Sequence, residues 1–156
     1  MAASPDAKAR VLLVDDHPIV RQGLAMLINA EPDLMVCGEA STGAEALQLV
    51  RTSEPDVAMI DIALDDRSGV ELIREIRGML PDLPMLALSM HDESLYAERV
   101  LRAGGRGYVM KQEATENMLT AIRRVLAGEI YLSARMSTRL LGQFASAPRG
   151  ENVSPI

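Results

Sequence analysis

The sequence predicts an α/β fold: a doubly wound, parallel five-stranded sheet with helices on both faces. Short apolar runs alternate five times with longer segments whose apolar residues recur at the helical period. Strands that alternate with helices pair in parallel, because each helix carries the chain back across the sheet. Two further observations, the polar residues at the strand ends and a change of composition near residue 128, predict where a site lies and where the domain ends.

The five strands are predicted from compact, apolar runs bounded by turn and helix-start residues. They cover residues 10–14, 34–37, 57–60, 85–88 and 108–110. Residues that favour helix starts or stops punctuate the segments between them. The start signals are Pro18, Ser41 or Thr42, Ser68 with Glu71, Asp92 and Thr115, and the stop signals are Pro55, Gly104 and Gly128.

The chain divides into three predicted regions. Residues 1–9 are small and polar and are expected to form a disordered leader, and residues 10–128 form the domain. Residues 129–156 form a linker with a helix near 133–145, on which Met136, Leu140 and Phe144 are spaced four apart. Two interpretations of this extra C-terminal helix stay open: it docks on the domain, or it offers a face to a partner. The small, Pro-rich residues beyond it are typical of a linker to a further domain.

Composition excludes several classes of function for this segment. The net charge of −6 over 156 residues argues against direct binding of nucleic acid. No apolar run approaches the roughly 20 residues of a membrane span, and the N-terminus lacks the apolar core of a signal peptide. The single cysteine, Cys37, is interpreted as a buried structural thiol. These features predict a cytoplasmic protein without a membrane partner.

The chemistry-bearing residues follow the predicted strands at their carboxyl ends. They are Asp15, Asp16, Asp61, Ser89 and Lys111. In an open α/β sheet, ligands bind at this edge, where the strand order reverses. The strand order 2-1-3-4-5, which is borrowed from flavodoxin-like (βα)5 folds, would place Asp15 and Asp16 beside Asp61.

Crowded carboxylates repel one another and need a nearby cation. Oxygen ligands without a surplus of histidine or thiolate favour Mg²⁺, which binds one or two carboxylates and reaches a substrate phosphate. Lys111 would add a second positive charge, and Ser89 would offer a hydroxyl to a phosphoryl oxygen. The pattern therefore predicts phosphoryl chemistry in which one carboxylate attacks phosphorus.

The motifs VLLVDDHPIVRQGL, DIALDDRSGVELI, LALSMHD and RAGGRGYVMKQEA resemble those of response regulator receiver domains of two-component systems. These motifs, together with the GEIYLS that follows them, are most similar to those of the NarL/FixJ subclass, whose members carry a LuxR-type C-terminal helix-turn-helix domain. The resemblance implies that this chain stops before such a domain. It also implies a transcription regulator that binds DNA only through the absent part.

The resemblance implies a role for each matched position. Asp61 would accept a phosphoryl group from a sensor histidine kinase, and Lys111 would pair with that group. Mg²⁺ would bind Asp16, Asp61 and the backbone carbonyl of Ala63, with Asp15 acting partly through water. Ser89 and Tyr108 would form the switch, with Tyr108 turning inward, although the residues alone favour a half-buried core tyrosine equally. Phosphorylation would then favour a homodimer.

Two positions depart from the family pattern. Asp65 stands where proline is usual, so a more flexible and more acidic loop is expected after Asp61. Met90 follows Ser89 where a small residue is usual, which is expected to narrow access to the site. The two histidines, His17 and His91, are interpreted as solvated and not catalytic.

Three rival functions compete with the receiver. An aspartyl-nucleophile phosphatase needs a second acid two residues after the nucleophile, where this chain has Ala63. A nucleotide-binding domain needs a glycine-rich turn after the first strand, where this chain has an acidic one. A receiver-like interaction module that is not phosphorylated is disfavoured by the complete set of five polar residues.

Overall fold

The computed structural model describes residues 7–146, with side chains through residue 142. Residues 1–6 of the predicted leader and the linker beyond residue 146 lie outside the described residues. Within the described part, no helix is long and apolar enough to cross a bilayer.

The sheet has five parallel strands in the order β2-β1-β3-β4-β5, which confirms the predicted fold and strand order. The strands are β1 Ala9–Val14, β2 Leu34–Ala40, β3 Val57–Asp61, β4 Met85–Ser89 and β5 Gly107–Met110. β2 is longer than the sequence predicted, because its pairing with β1 continues past Cys37 to the last residue of β1. The reversal of strand order between β1 and β3 opens the crevice where a ligand can bind.

Four helices connect successive strands, and two more follow the last strand. They are α1 Pro18–Asn29, α2 Gly43–Thr52, α3 Gly69–Met79, α4 Glu93–Ala103, α5 Ala114–Leu126 and α6 Ala134–Ser146. A short 3₁₀ turn, Lys111–Glu113, precedes α5, so this helix begins at Ala114 instead of at Thr115.

Capping residues fix the helix starts near the sheet edge. Thr42, Ser68 and Asp92 each accept a hydrogen bond from a backbone N–H in the first turn of their helix. The predicted capping box at α3 is only half formed, because Glu71 pairs with Arg74 at 2.5 Å. α4 ends at Gly104, whose φ of +113° is a conformation that glycine adopts without strain.

The sheet separates two apolar layers. Side chains of one sheet face pack with α2, α3 and α4 and include the fully buried Leu12 and Ile60. Side chains of the other face pack with α1 and α5 and include Leu13 and Met59. Because side chains alternate along β1 and β3, both faces of the sheet are buried. This explains why these strands are continuous apolar runs in the sequence. Cys37 is half-buried, less than the buried thiol expected from the sequence, and its thiol donates to Ser53 Oγ at 3.6 Å.

The chain after α5 runs along the outer edge of β5. Tyr131 N donates to Arg106 O at 2.8 Å, and Tyr108 N donates to Tyr131 O at 3.1 Å. A Cβ at Gly107 would lie 2.5 Å from Tyr131 O, so this close approach requires glycine. The pairing covers part of the edge strand and directs the following helix towards α4.

The start of α6 packs on the domain. Met136 is 4% exposed and belongs to the core cluster on the α4 side. Ser133 donates from its N and Oγ to the carboxylate of Glu93, at 2.9 and 2.6 Å, and its Oγ accepts from Met136 N. Since Glu93 is itself 4% exposed, these two bonds satisfy a buried charge. Phe144, the last residue of the predicted stripe, has a side chain outside the described part.

Replacing Ser133 should therefore destabilise the domain measurably. Ser133→Ala removes one of the two donors to the Glu93 carboxylate and the cap of α6, so we expect the free energy of unfolding to fall by about 1–3 kcal/mol. Urea unfolding measures this loss. The control variant is Thr138→Ala, a substitution on the same helix away from this contact. Equal midpoints for the two variants would show that the Glu93–Ser133 contact contributes no stability.

Candidate functional site

Four strands deliver polar side chains to one edge of the sheet. Asp15 and Asp16 follow β1, and Asp61 is the last residue of β3. Ser89 ends β4, and Lys111 follows β5. The structure thus places all five predicted residues at the carboxyl edge of the sheet, and it brings Asp15, Asp61 and Lys111 into direct contact.

Lys111 joins the carboxylates that β1 and β3 supply. Its Nζ lies 2.8 Å from Asp61 Oδ2 and 3.0 Å from Asp15 Oδ2. The side chains of all three residues are at most 3% exposed. A buried carboxylate is tolerated only when it is paired and hydrogen-bonded, so the single ammonium makes the burial of two carboxylates possible.

Backbone groups fix the orientation of Asp61. Its Oδ1 accepts a hydrogen bond from Ala63 N at 2.9 Å, which leaves Oδ2 facing Lys111. Behind it, α3 begins so close to the strand that a Cβ at Gly69 would lie 2.2 Å from Asp61 O. Glycine at this position therefore allows the loop after Asp61 to fold back tightly.

The loop after Asp61 is anchored at two points by hydrogen bonds. Asp65 N donates to Asp16 Oδ2 at 3.1 Å, a bond that proline could not make. The Asp66 carboxylate accepts from Gly43 N and Ala44 N at the start of α2. The first of these bonds does most to lower the pKa of Asp66. The replacement of proline thus adds a hydrogen-bond donor to a site carboxylate.

The residues present fit a divalent metal ion. Asp15 Oδ2 and Asp16 Oδ1 are buried and have no hydrogen-bond partner among residues 7–142. Ligand atoms of Asp15, Asp16, His17 and Asp61 all lie within 4.8 Å of one another. Oxygen atoms that converge without donors are suitable ligands for a hard cation such as Mg²⁺. Receiver domains generally bind this ion, and the acidic cluster that would hold it is present here.

Tyr108 points inward and is linked to the loop that carries Ser89. The tyrosine is 2% exposed and its hydroxyl donates to His91 O at 3.1 Å. Ser89 Oγ in turn accepts from His91 N at 2.9 Å. Burial raises the pKa of Tyr108 to about 12, so its phenol keeps its proton near neutral pH.

The surroundings of the site include Met90 and a cleft between α3 and α4. Met90 is 63% exposed, so its side chain lies largely in solvent. A cleft of about 540 Å³ lies between the two helices, and Ala63, His91 and Tyr96 form part of its lining. The imidazole of His91 is 5.3 Å from the ring of Tyr96.

His17 is the residue of the site that sequence reasoning missed. Its side chain is 56% exposed, which agrees with the solvated interpretation, but its Nδ1 lies 2.8 Å from Lys111 Nζ and 3.0 Å from Asp15 Oδ1. Its position directly after Asp16, at a strand end and before the helix-starting Pro18, was the available signal.

Comparison with known proteins agrees with this geometry. Residues 11–123 match the family described as the response regulator receiver domain. The oxygen regulatory protein NreC of Staphylococcus haemolyticus is 34% identical over 146 residues, which are 93% of this chain and 67% of that protein. NreC of Staphylococcus carnosus is 34% identical over 138 residues, or 88% of this chain and 64% of that protein. This chain thus spans about two thirds of the length of these relatives.

Two solved structures are similar over nearly their whole length. A LuxR-family two-component response regulator from Aurantimonas has a TM-score of 0.81 and 34% identity, and the match covers 89% of this chain and 99% of that one. The receiver domain of the response regulator NarL from Mycobacterium tuberculosis has a TM-score of 0.73 and 31% identity, over 79% and 99% of the two chains. The family match over most of the sequence, the strand order and the carboxylate–lysine cluster together show that this chain belongs to the response regulator receiver domain family.

Proposed function

We propose that this chain is a phosphorylation-controlled switch in which Asp61 accepts a phosphoryl group from the phosphohistidine of a sensor histidine kinase. The observation that carries the proposal is the buried Asp61 carboxylate, paired with Lys111 at 2.8 Å beside two further aspartates. This arrangement offers a nucleophile together with positive charge for a phosphoryl group.

The chain's own residues perform the transfer as follows. A carboxylate oxygen of Asp61 attacks phosphorus while the bond to the donor nitrogen breaks, and Ala63 N holds the second oxygen through its 2.9 Å bond. Lys111 lies where its ammonium can turn from the carboxylate to the transferred phosphoryl oxygens. Asp15, Asp16, Asp61 and the Ala63 carbonyl would hold Mg²⁺, which when bound neutralises charge on the phosphoryl group.

The switch would lie in the loop between β4 and α4. A phosphoryl group on Asp61 offers new acceptor oxygens to the hydroxyl of Ser89, which now accepts from His91 N at 2.9 Å. Movement of Ser89 alters the loop whose carbonyl holds Tyr108, and the two arrangements differ in their contacts with phosphate. Phosphorylation then shifts the population towards the state that closes on the phosphate.

The output would be regulation of transcription in the cytoplasm. The NreC relatives are named regulatory proteins and are longer than this chain, which agrees with a DNA-binding domain beyond it. The net charge of −6 supports contact with DNA through that further domain alone. A phosphorylated homodimer would pair two such domains on a two-fold symmetric site.

Phosphorylation is tested first by intact-mass spectrometry after incubation with acetyl phosphate and Mg²⁺. We expect a gain of about 80 Da that requires Mg²⁺ and is lost in Asp61→Asn, because the amide is a poor nucleophile. Asp65→Asn is the matched control and should keep the adduct, since only the backbone of Asp65 contacts the cluster. An unmodified wild type, under conditions that label another receiver, would favour the non-phosphorylated interaction module.

Dimerisation on phosphorylation is a separate expectation. On α4, Leu95 is 63% exposed, an apolar side chain that a second copy could cover. Sedimentation velocity with acetyl phosphate and Mg²⁺ should show a shift from monomer to dimer that Asp61→Asn abolishes. A phosphorylated wild type that sediments as a monomer would contradict the dimer while leaving the phosphorylation intact.

The inward position of Tyr108 predicts a pH effect on stability. Its pKa rises from the usual 10.0 to about 12 on folding, so the unfolded chain loses this proton first and stability falls as pH rises from about 10 to about 12. Tyr108→Phe should lose less stability over that window than the wild type does. Urea unfolding at several pH values from about 8 to about 12 measures the difference, and parallel curves would show that Tyr108 is not held in the buried, protonated form.

A further inference from the structure

We propose that the cleft between α3 and α4 is a binding site for a small organic phosphate, held by Arg74, Arg99 and Arg102. The cleft has a volume of about 540 Å³, a size that small-molecule sites in proteins commonly have. Arg74 lines it from α3, and Tyr96, Arg99 and Arg102 line it from α4. We call this site the arginine cleft.

The arginine cleft is a positive region on an acidic protein. Its lining carries three guanidinium groups and one carboxylate, that of Glu71, which leaves a formal charge of +2 with His91 neutral. The whole chain, in contrast, has a net charge of −6. Charges of one sign that line a cleft focus the field there and raise the local concentration of the opposite ion. An anion that the rest of the surface repels is therefore drawn to this cleft.

Arg99 has the guanidinium group that is free to bind a ligand. The group lies 5.7 Å from the centroid of the Tyr96 ring, and it has no hydrogen-bond or ion-pair partner among residues 7–142. Tyr96 is itself half-buried against the core, and its ring is 5.3 Å from the imidazole of His91. Because a guanidinium stacked on an aromatic ring keeps its in-plane N–H donors available, Arg99 is positioned for a phosphate and not yet occupied.

The other two arginines are held by ion pairs that a phosphate can displace. Arg74 lies 2.5 Å from Glu71, and Arg102 lies 2.5 Å from Glu98. Each pair joins neighbours on one helix, and the two carboxylates are 63% and 51% exposed. Ion pairs this exposed to water contribute little to stability. A phosphate dianion, which binds a guanidinium through two parallel hydrogen bonds, therefore competes well with either glutamate.

The rest of the lining favours a phosphate that carries an organic group. Val70 and the Tyr96 ring offer apolar surface beside the guanidinium groups. Inorganic phosphate would contact the arginines but would leave this surface in water. A nucleic acid presents a long row of phosphates, and most of them would meet the acidic remainder of the protein. A small organic phosphate matches both the charge and the extent of the cleft.

The arginine cleft adjoins the carboxylate that is proposed to accept the phosphoryl group. Ala63 lines the cleft, and its backbone N holds Asp61 Oδ1 at 2.9 Å. The bound phosphate can therefore be the small-molecule donor on its way to Asp61, in which case the inference rests on the proposed function. It can equally be a phosphate compound that binds without transfer. Binding requires no phosphorylation in either case, so the two are measured separately.

Phenyl phosphate in the absence of Mg²⁺ is the probe for binding. We expect saturable shifts of the backbone amide NMR signals around Tyr96 and Arg99, and about 10-fold weaker binding in Arg99→Gln. Arg99→Lys keeps the charge but loses the planar fork, so it should lose less affinity than Arg99→Gln. Arg51→Gln is the matched control, since it removes the same charge from an exposed residue of α2 outside the cleft, and it should bind like the wild type.

Acetyl phosphate with Mg²⁺ distinguishes the two sources of phosphate. A higher half-saturating concentration in Arg99→Gln, with an unchanged maximal rate of phosphorylation, assigns the cleft to the donor. Unchanged kinetics together with weaker binding of phenyl phosphate assign it to a separate phosphate compound.

Two results overturn the inference while phosphorylation of Asp61 stands. One is a wild type that does not bind phenyl phosphate, and the other is equal affinity in Arg99→Gln and Arg51→Gln. A wild type that binds phenyl phosphate through Arg99 but gains no phosphoryl group has the opposite meaning, because it contradicts the proposed function and leaves the arginine cleft supported.

Discussion

The site depends on one charge balance: the Lys111 ammonium lies between buried carboxylates from β1 and β3. Asp15 and Asp61 are at most 1% exposed, and like charges this close repel strongly where water cannot screen them. The parallel sheet imposes this crowding, because it brings the carboxyl ends of adjacent strands to one edge. Lys111, from the far strand, compensates it only in part, since two carboxylate oxygens of the described chain remain without donors. A site of this kind gains stability from each further positive charge, which is the property that phosphoryl transfer requires.

The sequence alone was sufficient for the fold class and for the location of the site. Strand order came from resemblance, but alternation of apolar runs and helical segments determined the parallel sheet, and the five polar residues stood at strand ends. These features follow from local periodicity, which can be recognised in the sequence itself. The same reasoning located the caps Ser68 and Asp92 and left Ser41 or Thr42 for α2, where the structure has Thr42.

The sequence could not predict the contacts between side chains and segments that only the folded chain brings together. Asp65 stands where proline is usual in the family, and its amide donates to Asp16, 49 residues away. His17, considered as an isolated histidine, is expected to be solvated, and only the folded sheet edge shows that it faces three carboxylates and Lys111. In each case the deciding partner depends on three-dimensional proximity, which local periodicity does not encode.

The contacts of the β4–α4 loop extend the site to the end of the described chain. Ser89 and Tyr108 meet at the two backbone groups of His91, and the next residues of the loop begin α4. There Glu93, buried in the first turn, accepts both hydrogen bonds that hold Ser133. Only three residues separate Ser89 from Glu93, so the contacts of the β4–α4 loop and the anchor of α6 are adjacent in the chain. The proposed switch residue Ser89 and the Glu93 anchor of α6 therefore lie within one stretch of five residues.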